Sequence, residues 1–119
     1  MANILCIDDE VGIRSIYKRK FAREGHAIDL AEDGQLGVEA FLREPKKYDL
    51  VITDMNMPNR DGLYVIEQIK KVDLLQKVAL IASCNPEDLQ NARNLGVDGY
   101  LEKPFLLSDL SDFVNGFLQ

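Results

Sequence analysis

Short, mostly apolar runs alternate with helical segments along the whole chain, and this alternation restricts the fold more than any other feature. Five runs have the length and composition of strands: residues 3–8, 26–31, 49–54, 77–82 and 99–103. Near-continuous apolar runs are typical of parallel strands that helices cover on both faces. Each run precedes a segment with apolar residues at helical spacing, so the sequence predicts an α/β fold, a (βα)₅ doubly wound parallel sheet.

Polar residues and glycines mark the ends of the predicted helices. Short polar side chains that accept a hydrogen bond from a free amide of the first turn are typical N-caps, and the predicted ones are Asp33, Asp61, Asn85 and Ser108. Gly25 and Gly96 are predicted C-terminal stops. The helical side chains predicted to face the core are Ile13, Ile16, Tyr17, Phe21, Leu36, Ala40, Phe41, Leu63, Ile66, Ile69, Leu110, Phe113, Val114 and Phe117.

Composition restricts the class of protein. The 119 residues fit one domain, 1–119, with no output domain, and the net charge of −6 disfavours nucleic-acid binding. No apolar run reaches the ~18 residues of a membrane span, and the start MANILCIDDE lacks a signal-peptide pattern. Cys6 and Cys84 lie far apart in apolar surroundings, which favours reduced thiols in a cytoplasmic protein over a disulfide.

The first predicted helix is a local exception to the negative charge. Its basic residues are Arg14, Lys18, Arg19, Lys20 and Arg23. They can form the solvated face of a helix or a docking surface for an acidic partner, and both interpretations stay open.

Polar residues that follow the predicted strands are informative, because ligands of open α/β sheets bind beyond the carboxyl ends of the strands. The first strand runs into Asp8, Asp9 and Glu10, and the third into Asp54. Two unit charges ~4 Å apart repel by about 4 kcal/mol at an effective dielectric constant of ~20, so converging acids need a cation among them. Oxygen ligands beside a loop suit Mg²⁺ better than zinc.

Lys103, after the fifth strand, is predicted to place a positive charge opposite these acids. A salt bridge is the simpler explanation of that charge. The alternative is that the ammonium group neutralises oxygens of a transferred group. A carboxylate, Mg²⁺, a lysine and a hydroxyl, here that of Ser83, are what phosphoryl transfer to an aspartate requires. In that interpretation Asp54 is an acceptor at the floor of the cleft.

The sequence resembles the receiver domains of two-component response regulators, the CheY-like family, over essentially its whole length. The matching segments are ILCIDDE at the first strand, DLVITDMNMPNRDGL at the third and GYLEKPF at the fifth. Their order and spacing inside the (βα)₅ pattern make the combination specific. The resemblance implies a flavodoxin-like sheet with strand order 2-1-3-4-5 and Mg²⁺ as the cofactor.

The resemblance also implies a role for each matching site residue. Asp54 matches the phosphoacceptor, which is also a metal ligand. Asp9 matches a direct Mg²⁺ ligand, and Asp8 matches a residue that assists through water. Asn56 matches the residue that lends its backbone carbonyl to the metal, and Lys103 matches the lysine that contacts the phosphoryl oxygens.

The residues implied to transmit the signal match less completely. Tyr100 resembles the aromatic switch residue of the family, with an ordinary strand tyrosine as the alternative, and the bond before Pro104 is expected to be cis. The family places Thr or Ser at the end of the fourth strand. Counting along the segment KVALIASCNPEDL leaves Ile81, Ala82 and Ser83 as candidates for that position. Ser83 is the preferred one, because it alone carries a hydroxyl.

Two functional interpretations follow from the resemblance. In the first, a sensor histidine kinase or phosphotransfer protein phosphorylates Asp54. The chain, a monomer or a phosphorylation-dependent dimer, catalyses only its own phosphorylation and dephosphorylation. The face formed by the fourth helix, fifth strand and fifth helix then engages a downstream protein or an output domain. In the second, the chain is an interaction module with weakened or absent switching. A hydrolase with an Asp nucleophile is disfavoured. Such an enzyme has a characteristic Asp-x-Asp pattern after the first strand, whereas Asp8 and Asp9 are adjacent.

Overall fold

The computed structural model describes residues 1–119 and contains five strands and five helices in strict alternation. The elements are β1 (Asn3–Ile7), α1 (Val11–Arg23), β2 (Ala27–Ala31), α2 (Gly34–Arg43), β3 (Leu50–Thr53), α3 (Gly62–Val72), β4 (Val78–Ala82), α4 (Pro86–Asn94), β5 (Gly99–Glu102) and α5 (Leu107–Leu118). The predicted alternation is confirmed. None of the five helices has both the length and the apolar character that crossing a bilayer would require.

All strands are parallel and lie in the order β2-β1-β3-β4-β5, as predicted. The chain adds β2 on one side of β1 and the remaining strands on the other. The winding therefore reverses between β1 and β3, and sheets of this kind open a crevice beyond the strand ends at such a point. β1 ends at Ile7 and β3 at Thr53, so Asp8 and Asp54 are the first residues beyond them.

The sheet separates two layers of hydrophobic core. On one face, strand residues such as Leu5 and Leu80 pack against α2, α3 and α4. On the other face, residues such as Ile52 and Ile81 pack against α1 and α5. Every residue of β3 and β4 is buried, which explains why these two strands are apolar without alternation.

Three of the four predicted N-caps are confirmed. The carboxylate of Asp33 accepts a hydrogen bond from the amide of Leu36 at 2.8 Å, and Asp61 accepts one from Tyr64 at 3.0 Å. The side-chain oxygen of Asn85 accepts from the third helical amide of α4 at 2.8 Å. These caps fix where α2, α3 and α4 begin on the edge of the sheet that carries Asp8 and Asp54.

The prediction that Ser108 caps the last helix is wrong. The amide of Leu110 donates to the carbonyl of Leu106 at 3.0 Å, so the helical hydrogen bonds start two residues before the predicted cap. Leu106 is the N-cap residue and makes no side-chain capping bond. Ser108 lies inside the first turn and is exposed.

The prediction that Leu36 faces the core is also wrong, since its side chain is 44% exposed. α2 instead turns Gly34, Gly37, Val38 and Phe41 inward. A Cβ at Gly37 would collide with the side chain of Ile7. The helix therefore lies against β1 through a residue without a side chain, and a reading of apolar side chains cannot detect such a residue.

Candidate functional site

Three strand ends meet at the ammonium group of Lys103. Its Nζ atom lies 2.8 Å from Oδ2 of Asp8, 3.3 Å from Oδ2 of Asp54 and 3.6 Å from Oε1 of Glu10. Lys103 directly follows β5, and its amide donates to the carbonyl of Ala82 at 3.0 Å. The peptide bond between Lys103 and Pro104 is cis. The structure thus brings together Asp8, Asp54 and Lys103 from three separate strands.

Asp8 is the most deeply buried acid of this group, with no exposed surface. One carboxylate oxygen accepts from Lys103, and the other accepts from the amide of Glu10 at 3.0 Å. Burial raises the pKa of Asp8 above its ordinary value, although these two hydrogen bonds oppose the shift. Arg14 donates to the backbone carbonyl of Asp8 at 2.8 Å, which ties the start of α1 to the end of β1.

Asp54 is 7% exposed and faces the same point from β3. Its Oδ1 atom accepts from the amide of Met55 at 2.8 Å, while Oδ2 is turned toward Lys103. Burial, and then the charge of Asp8, raise the pKa of Asp54 to about 6 against the opposing effect of Lys103. The negative charge of Asp54 is therefore unfavourable in this position, and either a bound cation or a proton would relieve it.

Lys103 retains its positive charge in this setting. Burial by itself would lower the pKa of the ammonium group, but the hydrogen bond and charge of Asp8, together with the charge of Asp54, outweigh burial and raise it. One ammonium group therefore faces three carboxylates, and the site carries an excess of negative charge.

These acids form a set of oxygen atoms suited to a small divalent cation. One carboxylate oxygen each from Asp8, Glu10 and Asp54 lie within 4.8 Å of one another. Mg²⁺ binds through one or two carboxylates and keeps several waters, so the donor atoms fit this ion. Asp9, the ligand implied by the resemblance, is exposed and lies outside this set. Asn56 is exposed in the loop after β3.

Glu10 is the residue that sequence reasoning did not assign to the site. The run Asp8-Asp9-Glu10 offers three adjacent acids, and the sequence does not say which of them turn inward. In the structure the chain leaves β1 so that Asp8 is buried and the longer side chain of Glu10 reaches back to Lys103.

The three candidates for the hydroxyl position at the end of β4 lie in different surroundings. Ile81 packs in the core layer of α1 and α5, on the opposite face of the sheet from Tyr100. Ala82 ends β4 and packs on the face of Tyr100. Ser83 is exposed, and its hydroxyl donates to the carbonyl of Lys103 at 3.3 Å.

The hydroxyl of Tyr100 ties β5 to the start of the loop before α4. It donates to the carbonyl of Ala82 at 3.0 Å and accepts from the amide of Cys84 at 3.3 Å. The ring is half-buried against the core layer of α2, α3 and α4. Tyr100 therefore contacts the same short segment that carries Ser83.

Comparison with known proteins decides the family. The family model described as "Response regulator receiver domain" matches residues 4–115. The chain belongs to this family. The receiver domain is similar to the response regulator ArlR of Staphylococcus epidermidis, with 30% identity over 92% of this chain and 49% of the relative. It is also similar to sporulation initiation phosphotransferase F of Bacillus subtilis, with 29% identity over 97% of this chain and 92% of the relative.

Solved structures agree with this assignment. The response regulator protein TrrA of Thermotoga maritima superimposes with a TM-score of 0.87 at 32% identity, covering 98% of the receiver domain and 99% of TrrA. The receiver domain spans about half the length of several curated relatives that it matches, ArlR among them. As a member of this family it is a signalling domain of two-component systems.

Proposed function

We propose that this receiver domain is a phosphorylatable switch that accepts a phosphoryl group on Asp54 from a phosphohistidine of a sensor kinase or phosphotransfer protein. The observation that carries the proposal is the position of Lys103 Nζ, 3.3 Å from Asp54 and 2.8 Å from Asp8. An acceptor carboxylate beside a fixed ammonium group and further acids is the arrangement that phosphoryl transfer uses. The structure of TrrA, which contains Mg²⁺ and a beryllium fluoride, supports the same cofactor for this chain.

In the proposed reaction a carboxylate oxygen of Asp54 attacks phosphorus. The bond between phosphorus and the imidazole nitrogen breaks, and the imidazole takes up a proton from solvent. Lys103 neutralises the phosphoryl oxygens, and Asp8 holds Lys103 in place through its 2.8 Å hydrogen bond. Mg²⁺, when bound, supplies further positive charge to those oxygens. Water later hydrolyses the acyl phosphate, so the domain catalyses only its own phosphorylation and dephosphorylation.

The residues that would hold the metal follow from the donor atoms at the site. Asp8 and Asp54 are the inward-facing acids, with Asp8 acting directly or through water, and Asn56 is expected to offer its backbone carbonyl. Asp9 is the third ligand that the family resemblance implies, whereas Glu10 is the third acid of the cluster. Asp9→Asn and Glu10→Gln, compared for Mg²⁺ affinity, decide between these two ligand sets.

The proposed output runs through Tyr100 to the face formed by α4, β5 and α5. The hydrogen bonds of Tyr100 to Ala82 and Cys84 hold this face in one arrangement. A phosphoryl group on Asp54 would interact with the segment that carries Ser83, in competition with the hydrogen bonds of Tyr100. This competition would lower the population of that arrangement. A downstream protein or an output domain would bind the shifted face.

The proposed upstream partner binds near α1. Three basic residues, Arg19, Lys20 and Arg23, and one acid, Glu24, line a groove of about 370 Å³ together with Ile16 and Leu107. This groove combines positive charge with apolar surface, which suits an acidic and partly apolar helix of a kinase or phosphotransfer protein. A cytoplasmic location, consistent with two free cysteines, and a monomer or phosphorylation-dependent dimer complete the proposal.

A small phosphodonor tests the chemistry directly. The domain is incubated with acetyl phosphate and Mg²⁺, and its intact mass is measured. We expect one phosphoryl adduct that depends on Mg²⁺, is absent from Asp54→Asn and persists in the matched control Asp112→Asn, an exposed acid of α5. An adduct that forms on Asp54→Asn, or no adduct on the wild type, rejects the proposal.

One observation favours a second candidate, an interaction module with weakened switching. The Ser83 hydroxyl already donates a hydrogen bond to the Lys103 carbonyl. Ala82, which has no hydroxyl, occupies the position on the Tyr100 face from which a switch hydroxyl would act. A beryllofluoride titration followed by amide NMR separates the two functions. Changes that spread to Tyr100 support the switch, and binding confined to the acids supports the module.

A further inference from the structure

The loop that follows the acceptor is tied to the start of α2. This acceptor loop comprises residues 55–61, between Asp54 and α3. The side-chain amide of Asn59 donates to Oδ2 of Asp33 at 2.7 Å, and the amide of Gly34 donates to the carbonyl of Arg60 at 3.2 Å. Two hydrogen bonds in opposite directions therefore connect the loop to α2.

The carboxylate of Asp33 has two separate tasks. Its Oδ1 atom caps α2 by accepting from Leu36, and its Oδ2 atom accepts from Asn59. Asp33 is buried, with 6% of its surface exposed. Its hydrogen bond from Leu36 already fixes the orientation of the carboxylate that accepts from Asn59. A hydrogen bond to an ionised, preoriented acceptor is stronger than one between neutral groups.

Backbone conformation and close packing both accommodate this connection. Asn59 has a φ of 67°, a left-handed conformation that asparagine tolerates better than most residues. A Cβ at position 34 would collide with the carbonyl of Arg60, so Gly34 permits the close approach of loop and helix. The loop conformation and the α2 terminus are thus matched to each other.

The near end of the acceptor loop is fixed to the site itself. The amide of Met55 donates to Oδ1 of Asp54, and the amide of Gly62 donates to the carbonyl of Met55 at 2.7 Å. Asn56 lies between this end and the Asn59 anchor. The Met55 hydrogen bonds therefore restrain the carbonyl of Asn56 from one side and the Asn59 anchor restrains it from the other, so loss of the anchor removes one of these two restraints.

We propose that Asp33 and Asn59 are a positioning pair, which holds the acceptor loop in the geometry that binds Mg²⁺ and the phosphoryl group. The inference rests on the proposed function, since it concerns the same metal site. Neither side chain contacts the reacting atoms. Loss of a group that orients a metal site from outside typically weakens metal affinity about tenfold or more.

Substitutions at the two positions separate the hydrogen bond from other effects. Asn59→Gly keeps the positive φ and the net charge but removes the donor, and Asn59→Asp places a second acid opposite Asp33. The double variant D33N/N59D exchanges the two side chains, so that an amide caps α2 and donates across the pair to a carboxylate on the loop. Its net charge equals that of the wild type. The wild type, D33N, N59D and D33N/N59D form a double-mutant cycle.

The readout is the Mg²⁺ dissociation constant, obtained from shifts of the Met55 and Gly62 amide signals, together with unfolding in urea. We expect about a tenfold loss of affinity in N59G and N59D, and recovery of most of it in D33N/N59D. Wild-type affinity in N59G and N59D, even with reduced folding stability, overturns the positioning role. No recovery in the exchanged pair also overturns it. If the wild-type domain itself binds no Mg²⁺, the proposed function fails as well.

Discussion

The ammonium group of Lys103 lies 2.8 Å from Oδ2 of Asp8, although the two residues are 95 positions apart in the sequence. Asp8 is fully buried, and the side chain of Lys103 is 13% exposed, so the pair is largely removed from solvent. Removing one partner of a buried ion pair leaves the other charge uncompensated. Asp8 therefore serves to keep Lys103 charged and aimed at Asp54.

Replacing Lys103 by methionine is expected to slow formation of the phosphoryl adduct by about a hundredfold, because loss of one preorganised donor to a developing negative charge costs this much. The rate with acetyl phosphate at saturating Mg²⁺ is followed by intact mass. Lys71→Met, at an exposed position of α3, is the matched control and should react like the wild type. A Lys103 variant that reacts at the wild-type rate contradicts the assignment.

Replacing Asp54 by asparagine is expected to raise the free energy of unfolding of the metal-free domain by about 1–2 kcal/mol near pH 7. The substitution removes one of three crowded carboxylates but keeps an oxygen that can accept from Met55. Urea denaturation measures the change, and Mg²⁺ should reduce it by stabilising the wild type. Asp112→Asn should leave stability unaltered. A less stable Asp54→Asn protein would refute the view that these acids repel one another.

The fold could be predicted because its signals are local. Hydrophobic runs of strand length and the caps Asp33, Asp61 and Asn85 each act within a few residues, and together they indicate five strands that alternate with helices. The order of the strands in the sheet is implied by the resemblance to receiver domains. The convergence of Asp8 and Asp54 then follows from topology, since neighbouring parallel strands end at the same edge.

The details of the site depend on backbone geometry that the sequence does not state locally. Whether Asp9 or Glu10 turns toward Lys103 depends on how the chain leaves β1, and three adjacent acids give no local preference. The hydroxyl at the end of β4 depends on register, and only the packing shows that Ile81 lies on the other face of the sheet from Tyr100. Ser108 had the right residue type for a cap, but the helix begins before it.

Replacing Tyr100 by phenylalanine is expected to lower the free energy of unfolding by about 1 kcal/mol, because the hydroxyl bridges Ala82 and Cys84. Hydrogen exchange at the Cys84 amide should become faster, while the yield of phosphoryl adduct stays unchanged. Tyr64→Phe is the control, since its ring packs under Arg60 and its hydroxyl makes no hydrogen bond within the protein. Unchanged exchange at Cys84 would show that Tyr100 does not hold this segment.

Replacing Tyr48 by phenylalanine should destabilise the domain in a pH-dependent manner. The hydroxyl donates to Oδ2 of Asp29 at 2.6 Å, and this bond is the main reason why the pKa of Asp29 is lowered. An acid with a lowered pKa in the folded state contributes stability above its unfolded pKa and loses it as the pH falls through the folded value. We expect a loss of about 1 kcal/mol near pH 7 that shrinks below about pH 4. Urea unfolding at several pH values measures it, and a loss independent of pH would contradict the role of Asp29.

The counter-charge at the site is supplied by the residue after β5, the last of the five strands to leave the ribosome. A nascent chain that still lacks this strand has its acids but no lysine to face them. Such a chain lacks the positive charge that the complete site places beside Asp54. The charge balance of the site is therefore complete only once β5 has been added to the sheet.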